Sequence, residues 1–209
     1  MLTTTFNMPY IKQSDFVFDC TNCPTRCDGV SKGVYHFKDD ASFSETWEQL
    51  LIDKINANPK YTAAKTKIAG YPDIEVLDAT GKVYCYIEVK VQQRAFMQVE
   101  KYLPYANLKP SETVALNLSD LMRYFKLQKD DNIRIVVVWF LLKRLCIVNA
   151  NDYNLYFATA DELERIYKTQ KSKRTFKRKS GEGDVVNGVH KGVTVNYHFS
   201  LRELQQWNW

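Results

Sequence analysis

The chain has 209 residues, of which 45% are hydrophobic and 25% are charged, and its formal net charge is +5. This composition is typical of one globular domain and excludes a disordered or fibrous chain. The longest apolar run, Ile135 to Leu142, is far shorter than the roughly 18 residues of a membrane-spanning helix, so we expect no membrane association.

Residues 1–40 are predicted to form a small amino-terminal segment. Its start lacks the basic and apolar regions of a secretory signal, so we expect a cytoplasmic, reducing location. There, a C-x-x-C-x-x-x-C arrangement favours a soft metal over disulfides. Zinc would occupy a closed tetrahedral structural site, and unligated thiols are the alternative. The candidate zinc ligands are Cys20, Cys23, Cys27 and His36.

Residues 41–167 are predicted to form the core, in the order helix, three strands, helix, strand. Apolar residues at helical spacing predict the first helix, and Asn58-Pro59 ends it. Two alternating runs around Thr80-Gly81 predict a β-hairpin. The apolar run that ends at Leu142 predicts a buried central strand. Helices are expected over 41–56, 94–103 and from 117 or 119 to 126, and strands over 66–69, 74–78, 82–91 and 133–142.

The predicted hairpin brings charged side chains together. Asp73 begins its first strand, while Glu88 and Lys90 share one face of the second. Carboxylates held close together repel each other unless a cation intervenes, and magnesium or manganese prefers oxygen ligands of this kind. The pattern therefore predicts a divalent-cation site with an adjacent ammonium group.

Pro72-Asp73, followed by Glu88-Val89-Lys90, resembles the signature of the PD-(D/E)XK nuclease superfamily. The resemblance covers about residues 41 to 142. It implies an α/β, restriction-endonuclease-like core, in which a mixed sheet of four to five strands is flanked by helices.

A second motif follows the lysine strand. Gln98 and Tyr102 form a Gln-x-x-x-Tyr pattern that is similar to the one in RecB-type members of the superfamily. The wider context from Tyr71 to Tyr102 also resembles the nuclease domain at the amino end of type I restriction subunits. Some RecB-type nucleases hold an iron–sulfur cluster, which makes such a cluster another alternative for the amino-terminal cysteines.

The resemblance implies a magnesium- or manganese-dependent endonuclease that hydrolyses phosphodiester bonds of DNA, in restriction or genome defence. Asp73, Glu88 and the carbonyl of Val89 would bind the ion. Glu48 would complete the ligand set, with Glu45 as the alternative first-helix acid.

The remaining site residues have narrower implied roles. Lys90 would orient or help deprotonate the attacking water. Gln98 would hold the Lys90 region or the scissile phosphate. Tyr102 is a secondary candidate, with helix packing as the alternative.

Residues 168–209 are predicted to hold a basic stretch, a β-hairpin over 185–189 and 192–199, and a short terminal helix. Seven of the twelve residues from Lys168 to Lys179 are basic, which favours binding to a phosphate backbone, with a solvated linker as the alternative. Phe176 within this stretch could stack on a base. The candidate nucleic-acid-binding residues are Lys65, Lys67, Lys173, Arg174, Lys177, Arg178 and Lys179.

Two other functions stay open. One is a catalytically inactive nucleic-acid-binding module of the same fold, and the other is a nuclease for RNA or for branched or single-stranded DNA. The expected partner is DNA. Cutting both strands of a duplex would favour a homodimer. A motor or modification activity would belong to a separate subunit, because the chain has no helicase or P-loop motif.

Overall fold

A computed structural model describes residues 10–11, 37–92, 95–142, 153–177, 185–186, 189–190 and 195–207. The proposed zinc ligands Cys20, Cys23, Cys27 and His36 lie outside these residues, as do Arg178 and Lys179.

The elements up to residue 142 include five strands of the main sheet and the helix that leads into the last of these strands. Asn117 caps this helix, α3, by accepting a hydrogen bond from the Ser119 N–H at 3.2 Å, and Asn132 ends it in the left-handed conformation. In chain order the elements are β1 (Tyr10–Ile11), α1 (Phe37–Asn56), β2 (Tyr61–Lys65), β3 (Ile74–Asp78), β4 (Val83–Gln92), α2 (Val99–Tyr102), β5 (Thr113–Asn117), α3 (Leu118–Asp131) and β6 (Ile135–Leu142).

The second half adds one long helix and several short strands. Thr159 and Glu162 form a capping box at the start of this helix, α4. The elements are β7 (Tyr153–Thr159), α4 (Ala160–Gln170), a 3₁₀ turn (Lys171–Arg174), β8 (Thr175–Lys177), β9 (Val185–Val186), β10 (Val189–His190), β11 (Val195–Ser200), a second 3₁₀ turn (Leu201–Glu203) and β12 (Gln205–Trp207).

The fold is α/β, with a mixed sheet of strand order β1-β12-β7-β6-β4-β3-β2. Among the strand pairs that the structure describes, β4 and β6 are parallel and the others are antiparallel. A parallel pair requires a crossover connection, which here contains α2, β5 and α3. This arrangement confirms the predicted mixed sheet flanked by helices, and β12 and β1 extend it beyond the four to five strands expected.

Hydrophobic residues cover both faces of the main sheet. Side chains of β6 alternate between the two, with Trp139 in one cluster and Phe140 in the other. Helix α1 covers the Phe140 face through Leu51. Helix α3 and a second sheet, of order β5-β11-β8, cover the Trp139 face. Strand β6 is therefore buried on both sides, as its continuous apolar sequence predicted.

Two boundaries in the core differ from the prediction. Strand β2 lies at Tyr61–Lys65 rather than 66–69, because Gly70 at φ +85° belongs to the turn that leads into β3. Helix α2 has one turn, Val99–Tyr102, rather than ten residues. Pro104 explains its end, since the residue before a proline is disfavoured in helical conformation.

The carboxyl-terminal region also differs from the prediction. The hairpin is formed by β9 and β10, while β11 pairs with β5 and β8. In place of a terminal helix there is a 3₁₀ turn followed by β12, which pairs with β7 and places Trp207 against Phe157 with ring centroids 6.0 Å apart. None of the helices in the described part of the chain is both long and apolar enough to span a membrane.

Candidate active site

Asp73 and Glu88 meet at the end of the β3–β4 pair. The register pairs Ile74 with Ile87, so Asp73, one residue before β3, lies beside Glu88 on β4. The Asp73 carboxylate accepts a hydrogen bond from the Val89 N–H at 2.8 Å. This bond fixes the carboxylate against the strand that carries the other charged residues.

Pro72 shapes the surroundings of Val89. Continuing the same antiparallel register places Pro72 opposite Val89. Since the N–H and C=O of one strand residue point to the same side, the Val89 carbonyl faces the Asp73 side as its N–H does. Proline has no N–H to donate, so it offers this carbonyl no backbone donor at that position. The carbonyl is thereby left without a backbone donor from Pro72, on the side of β4 that faces Asp73.

Glu88 is the most buried acid of the site, with 4% of its surface exposed. One of its oxygens forms an ion pair with Lys90, and the other accepts a hydrogen bond from the Tyr124 hydroxyl. The Lys90 side chain remains 33% exposed. Strand alternation therefore delivers the predicted pairing of Glu88 with Lys90, whose side chain is only partly exposed.

Helix α3 contributes three residues that the sequence did not identify. Tyr124 is buried beneath Glu88, and Arg123 lies within 3.4 Å of the Tyr124 hydroxyl. Arg123 also forms an ion pair with Asp120 at 2.7 Å. The only sequence signal was the helical spacing of this pair, which many surface residues share.

Burial and mutual repulsion set the electrostatics of the site. Burial raises the pKa of Asp73, and nearby Glu48 raises it further, against the opposing influence of Lys90 and the Val89 N–H. Burial likewise raises the pKa of Glu88, with Asp73 adding to the effect. For Lys90, burial lowers the pKa, but the charges of Glu88 and Asp73 outweigh it and hold this pKa above its usual value. The two carboxylates thus have one ammonium between them, which favours the binding of further positive charge.

Glu48 lies at the edge of this site. Its side chain is 14% exposed and forms an ion pair with Lys65 at 3.2 Å, whereas Glu45 is exposed. Of the two candidate acids on α1, Glu48 is the one whose charge acts on Asp73. Lys65 is therefore paired with an acid of the site, while Lys67 is exposed.

The site offers few oxygen ligands for a divalent ion. Within the described ranges, no three or more Asp, Glu, His or Cys side chains form a group that could hold a metal. Asp73, Glu88 and the Val89 carbonyl form a smaller oxygen set. Such a set fits magnesium, which usually keeps several waters and takes one or two carboxylates.

Gln98 and Tyr102 are both exposed on or beside α2. Gln98 is exposed, and its backbone carbonyl accepts hydrogen bonds from the first turn of α2. Tyr102 is 51% exposed and packs against Phe176, with ring centroids 5.0 Å apart. The structure thus places Tyr102 on a surface rather than beside Glu88.

The basic stretch divides into exposed and buried residues. Lys173 and Lys177 are exposed, as a phosphate-binding role requires. Arg174 is 5% exposed and forms an ion pair with Glu203. In this fold Arg174 is therefore a buried structural residue and does not reach a phosphate, contrary to the expectation from the sequence.

Comparisons with known proteins add one structural likeness. No family model matches the chain, and no curated protein does. The chain is similar to Hjc, a Holliday junction resolvase from Archaeoglobus fulgidus, with a TM-score of 0.40 and 9% identity, over 76% of this chain and 84% of that one. Because so few residues are shared, we base the functional proposal on the site's own geometry.

Proposed function

We propose that the chain is a divalent-metal-dependent nuclease that hydrolyses phosphodiester bonds of DNA. The observation that carries the proposal is the placement of Asp73, Glu88 and Lys90 at one end of the β3–β4 pair, where two carboxylates share one ammonium. Sites in which burial and like charges perturb the pKa values of acids are enriched at functional centres.

In this proposal Asp73, Glu88 and the Val89 carbonyl would hold Mg²⁺ or Mn²⁺, with Glu48 supporting the set from α1. When bound, such an ion lowers the pKa of a coordinated water and stabilises charge on phosphate oxygens. The Val89 N–H holds the Asp73 carboxylate in place, and the Tyr124 hydroxyl holds Glu88. Both acids are thus preorganised before substrate arrives.

Lys90 would act on the substrate. Its side chain is partly exposed, and its ammonium group is anchored through an ion pair with Glu88. From that position it can orient the attacking water and offset the negative charge that develops on the phosphate. Gln98 has a supporting role in this proposal, at the phosphate side.

The biological role that we propose is restriction or another form of genome defence, since the motif resembles nucleases of that kind. Cleavage of both strands would call for a homodimer, because one site cuts one strand at a time. A motor or modification activity would come from a separate subunit.

The test is cleavage of plasmid, linear duplex, single-stranded DNA and RNA with Mg²⁺ or Mn²⁺, and with chelator. We expect Asp73→Asn and Lys90→Ala each to lower the cleavage rate by about 10²-fold or more, the size of effect seen when one preorganised group is removed. Matched controls are Asp53→Asn, an exposed acid on α1, and Lys82→Ala, an exposed lysine before β4. Both should cut as the wild type does.

Two outcomes would contradict the catalytic proposal. One is a wild-type protein that cuts nothing with either ion, and the other is full activity in both site variants. A wild-type protein that binds DNA but cuts none of these substrates would instead support the alternative of an inactive binding module.

A further inference from the structure

An exposed aromatic surface lies where α2 meets β8. Tyr102 on α2 and Phe176 on β8 are 74 positions apart in sequence, and their rings pack with centroids 5.0 Å apart at an interplanar angle of 38°. Tyr105, just after α2, is 83% exposed. We call Tyr102, Tyr105 and Phe176 the aromatic surface.

The aromatic surface rests on a packed base. Phe176 and Phe96 both contact a small hydrophobic cluster formed by Val99, Leu103, Ala106 and Leu108. The buried ring of His198 also packs against both, with centroids 4.8 Å from Phe96 and 6.4 Å from Phe176. The partly buried Phe176 ring, and through it the exposed Tyr102 ring, are therefore held in position from below. Large exposed rings on a firm base are typical of interaction sites.

Lysines lie near the aromatic surface, in space or in sequence. The Lys101 ammonium lies 5.8 Å from the centre of the Tyr102 ring. Lys171, Lys173 and Lys177, which precede or follow Phe176 in sequence, are exposed. The nearby acid Glu100 forms an ion pair with Lys109, which offsets its charge. Protein–protein contact surfaces are depleted in lysine, whereas surfaces that bind single-stranded nucleic acid interleave aromatic and basic residues.

We propose that the aromatic surface stacks on unpaired bases of a nucleic acid strand while the surrounding lysines bind its phosphates. The aromatic surface would thereby select the substrate of the nuclease, so this inference rests on the function proposed above. Bases within a duplex are already stacked on each other, so an exposed ring gains little from them. An unpaired base offers a free face to any ring, whatever its identity. The preferred substrate class is therefore nucleic acid with a single-stranded region.

Binding is measured on protein that carries Asp73→Asn, so that no substrate is cut. Fluorescence anisotropy gives the affinity for a thymine DNA oligonucleotide, a uracil RNA oligonucleotide and a DNA duplex of equal length. We expect Tyr102→Ala and Tyr105→Ala each to weaken single-strand binding about tenfold and to change duplex binding less than twofold. Tyr102→Phe, which keeps the ring, should bind as the parent does. Ile68→Ala is the matched control, because Ile68 is 50% exposed and lies in the turn before β3.

A second readout reports stacking directly. The fluorescence of an oligonucleotide that contains one 2-aminopurine should change when it binds to the parent protein or to Tyr102→Phe. With Tyr102→Ala, the difference between free and bound fluorescence should be lost. Equal affinity of all variants for the single strands would overturn the proposal. Equal weakening of single-strand and duplex binding would also overturn it, as would a change in oligomeric mass without a change in affinity.

The two proposals fail in different ways. Ring-dependent single-strand binding by a wild-type protein that cuts nothing would support the aromatic surface and contradict the nuclease. Cleavage that requires Asp73 but does not depend on the rings would support the nuclease and overturn the role of the aromatic surface. The DNA and RNA oligonucleotides distinguish the two sources of unpaired bases.

Discussion

The molecule contains two partly buried clusters of charged side chains that differ in their balance of acidic and basic groups. At the candidate active site, the carboxylates of Asp73 and Glu88 share the ammonium of Lys90. The second cluster, which we call the paired cluster, lies beside β11. There Arg174 forms an ion pair with Glu203, and Arg202 pairs with Glu112 at 2.7 Å, so two acids face two bases.

The two clusters differ in how far their charges are neutralised within the protein. Burying a charge is costly unless it is paired, and the paired cluster meets this cost within the protein. The candidate active site leaves an excess of negative charge beside a partly exposed lysine side chain, an arrangement that is unfavourable for folding but suited to a cationic ligand. Proteins accept such local instability where a ligand or reaction requires it. Breaking each cluster should therefore have opposite effects on stability.

The largest expected effect is on the free energy of unfolding. Arg174→Ala should lower it by about 3 kcal/mol, because removing one partner leaves Glu203 unpaired in a partly buried place. Asp73→Asn should leave it within about 1 kcal/mol or raise it, since the amide still accepts from the Val89 N–H and relieves repulsion with Glu88. Both are measured by urea unfolding with chelator present.

Arg174→Lys is the control for this pair, because it keeps the charge but not the planar guanidinium. A destabilisation of several kcal/mol in Asp73→Asn, or none in Arg174→Ala, would remove the contrast between the clusters.

The second prediction concerns pH. Burial lowers the pKa of His198, next to the paired cluster, to about 4. The unfolded chain takes up a proton near the ordinary histidine pKa of 6.5, while the folded chain does not. The unfolded state then binds more protons, so stability falls as pH decreases between these values. From pH 7 to pH 5 this histidine should cost about 2 kcal/mol.

Urea unfolding at pH 7 and pH 5 checks this effect, with His198→Gln as the comparison. The glutamine can still donate to the Arg174 carbonyl, which His198 contacts through Nδ1 at 3.2 Å. The variant should lose less stability between the two pH values than the wild type. An equal loss in both proteins would show that other groups dominate the pH dependence.

The smallest expected effect tests Tyr124 as a positioning residue. Tyr124→Phe removes the hydroxyl that holds Glu88 and should lower kcat/KM about tenfold, the size of one charge-assisted hydrogen bond. Because this bond lowers the pKa of Glu88, its loss should also move the acidic limb of the pH–rate profile to higher pH. Cleavage rates measured across pH 5 to 9 give both quantities.

Tyr197→Phe is the matched control. Tyr197 is buried in the same hydrophobic cluster as Tyr124, and its hydroxyl has no hydrogen-bond partner among the described residues. This variant should keep both the rate and the pH profile. A similar loss of rate in both variants would indicate that packing, rather than the hydroxyl, is responsible.

The sequence predicted the parts of the site that depend on local structure. Asp73, Glu88 and Lys90 meet because a hairpin joins two alternating strands, and the turn and the alternation are both visible in the sequence. The buried strand β6 was also predictable from its length and apolar character. Tyr124 was not, because its role depends on how α3 rotates over the sheet.

Structural elements that depend on partners distant in the sequence were missed or predicted incorrectly. Strand β5 pairs with β11, and Leu116 faces Tyr197 across 81 positions of sequence. Gln205–Trp207 is a strand because it pairs with β7, although its sequence was compatible with a helix. Arg174 appeared to belong to a solvated basic run, and only the position of Glu203 shows that it is buried. In each case tertiary contacts decided the structure over local propensity.

The pairing of β11 with β5 also constrains how the protein folds. The hydrophobic cluster that contains Tyr124 includes Tyr197, Phe199 and Leu204, so it closes only when chain segments more than 70 positions apart have met. Contacts of such long range slow folding, because the entropy of closing the intervening loop is lost first. During synthesis the hairpin with Asp73 and Glu88 emerges well before this cover. The hydrophobic cluster around Tyr124 is therefore completed only when the last strands join the domain.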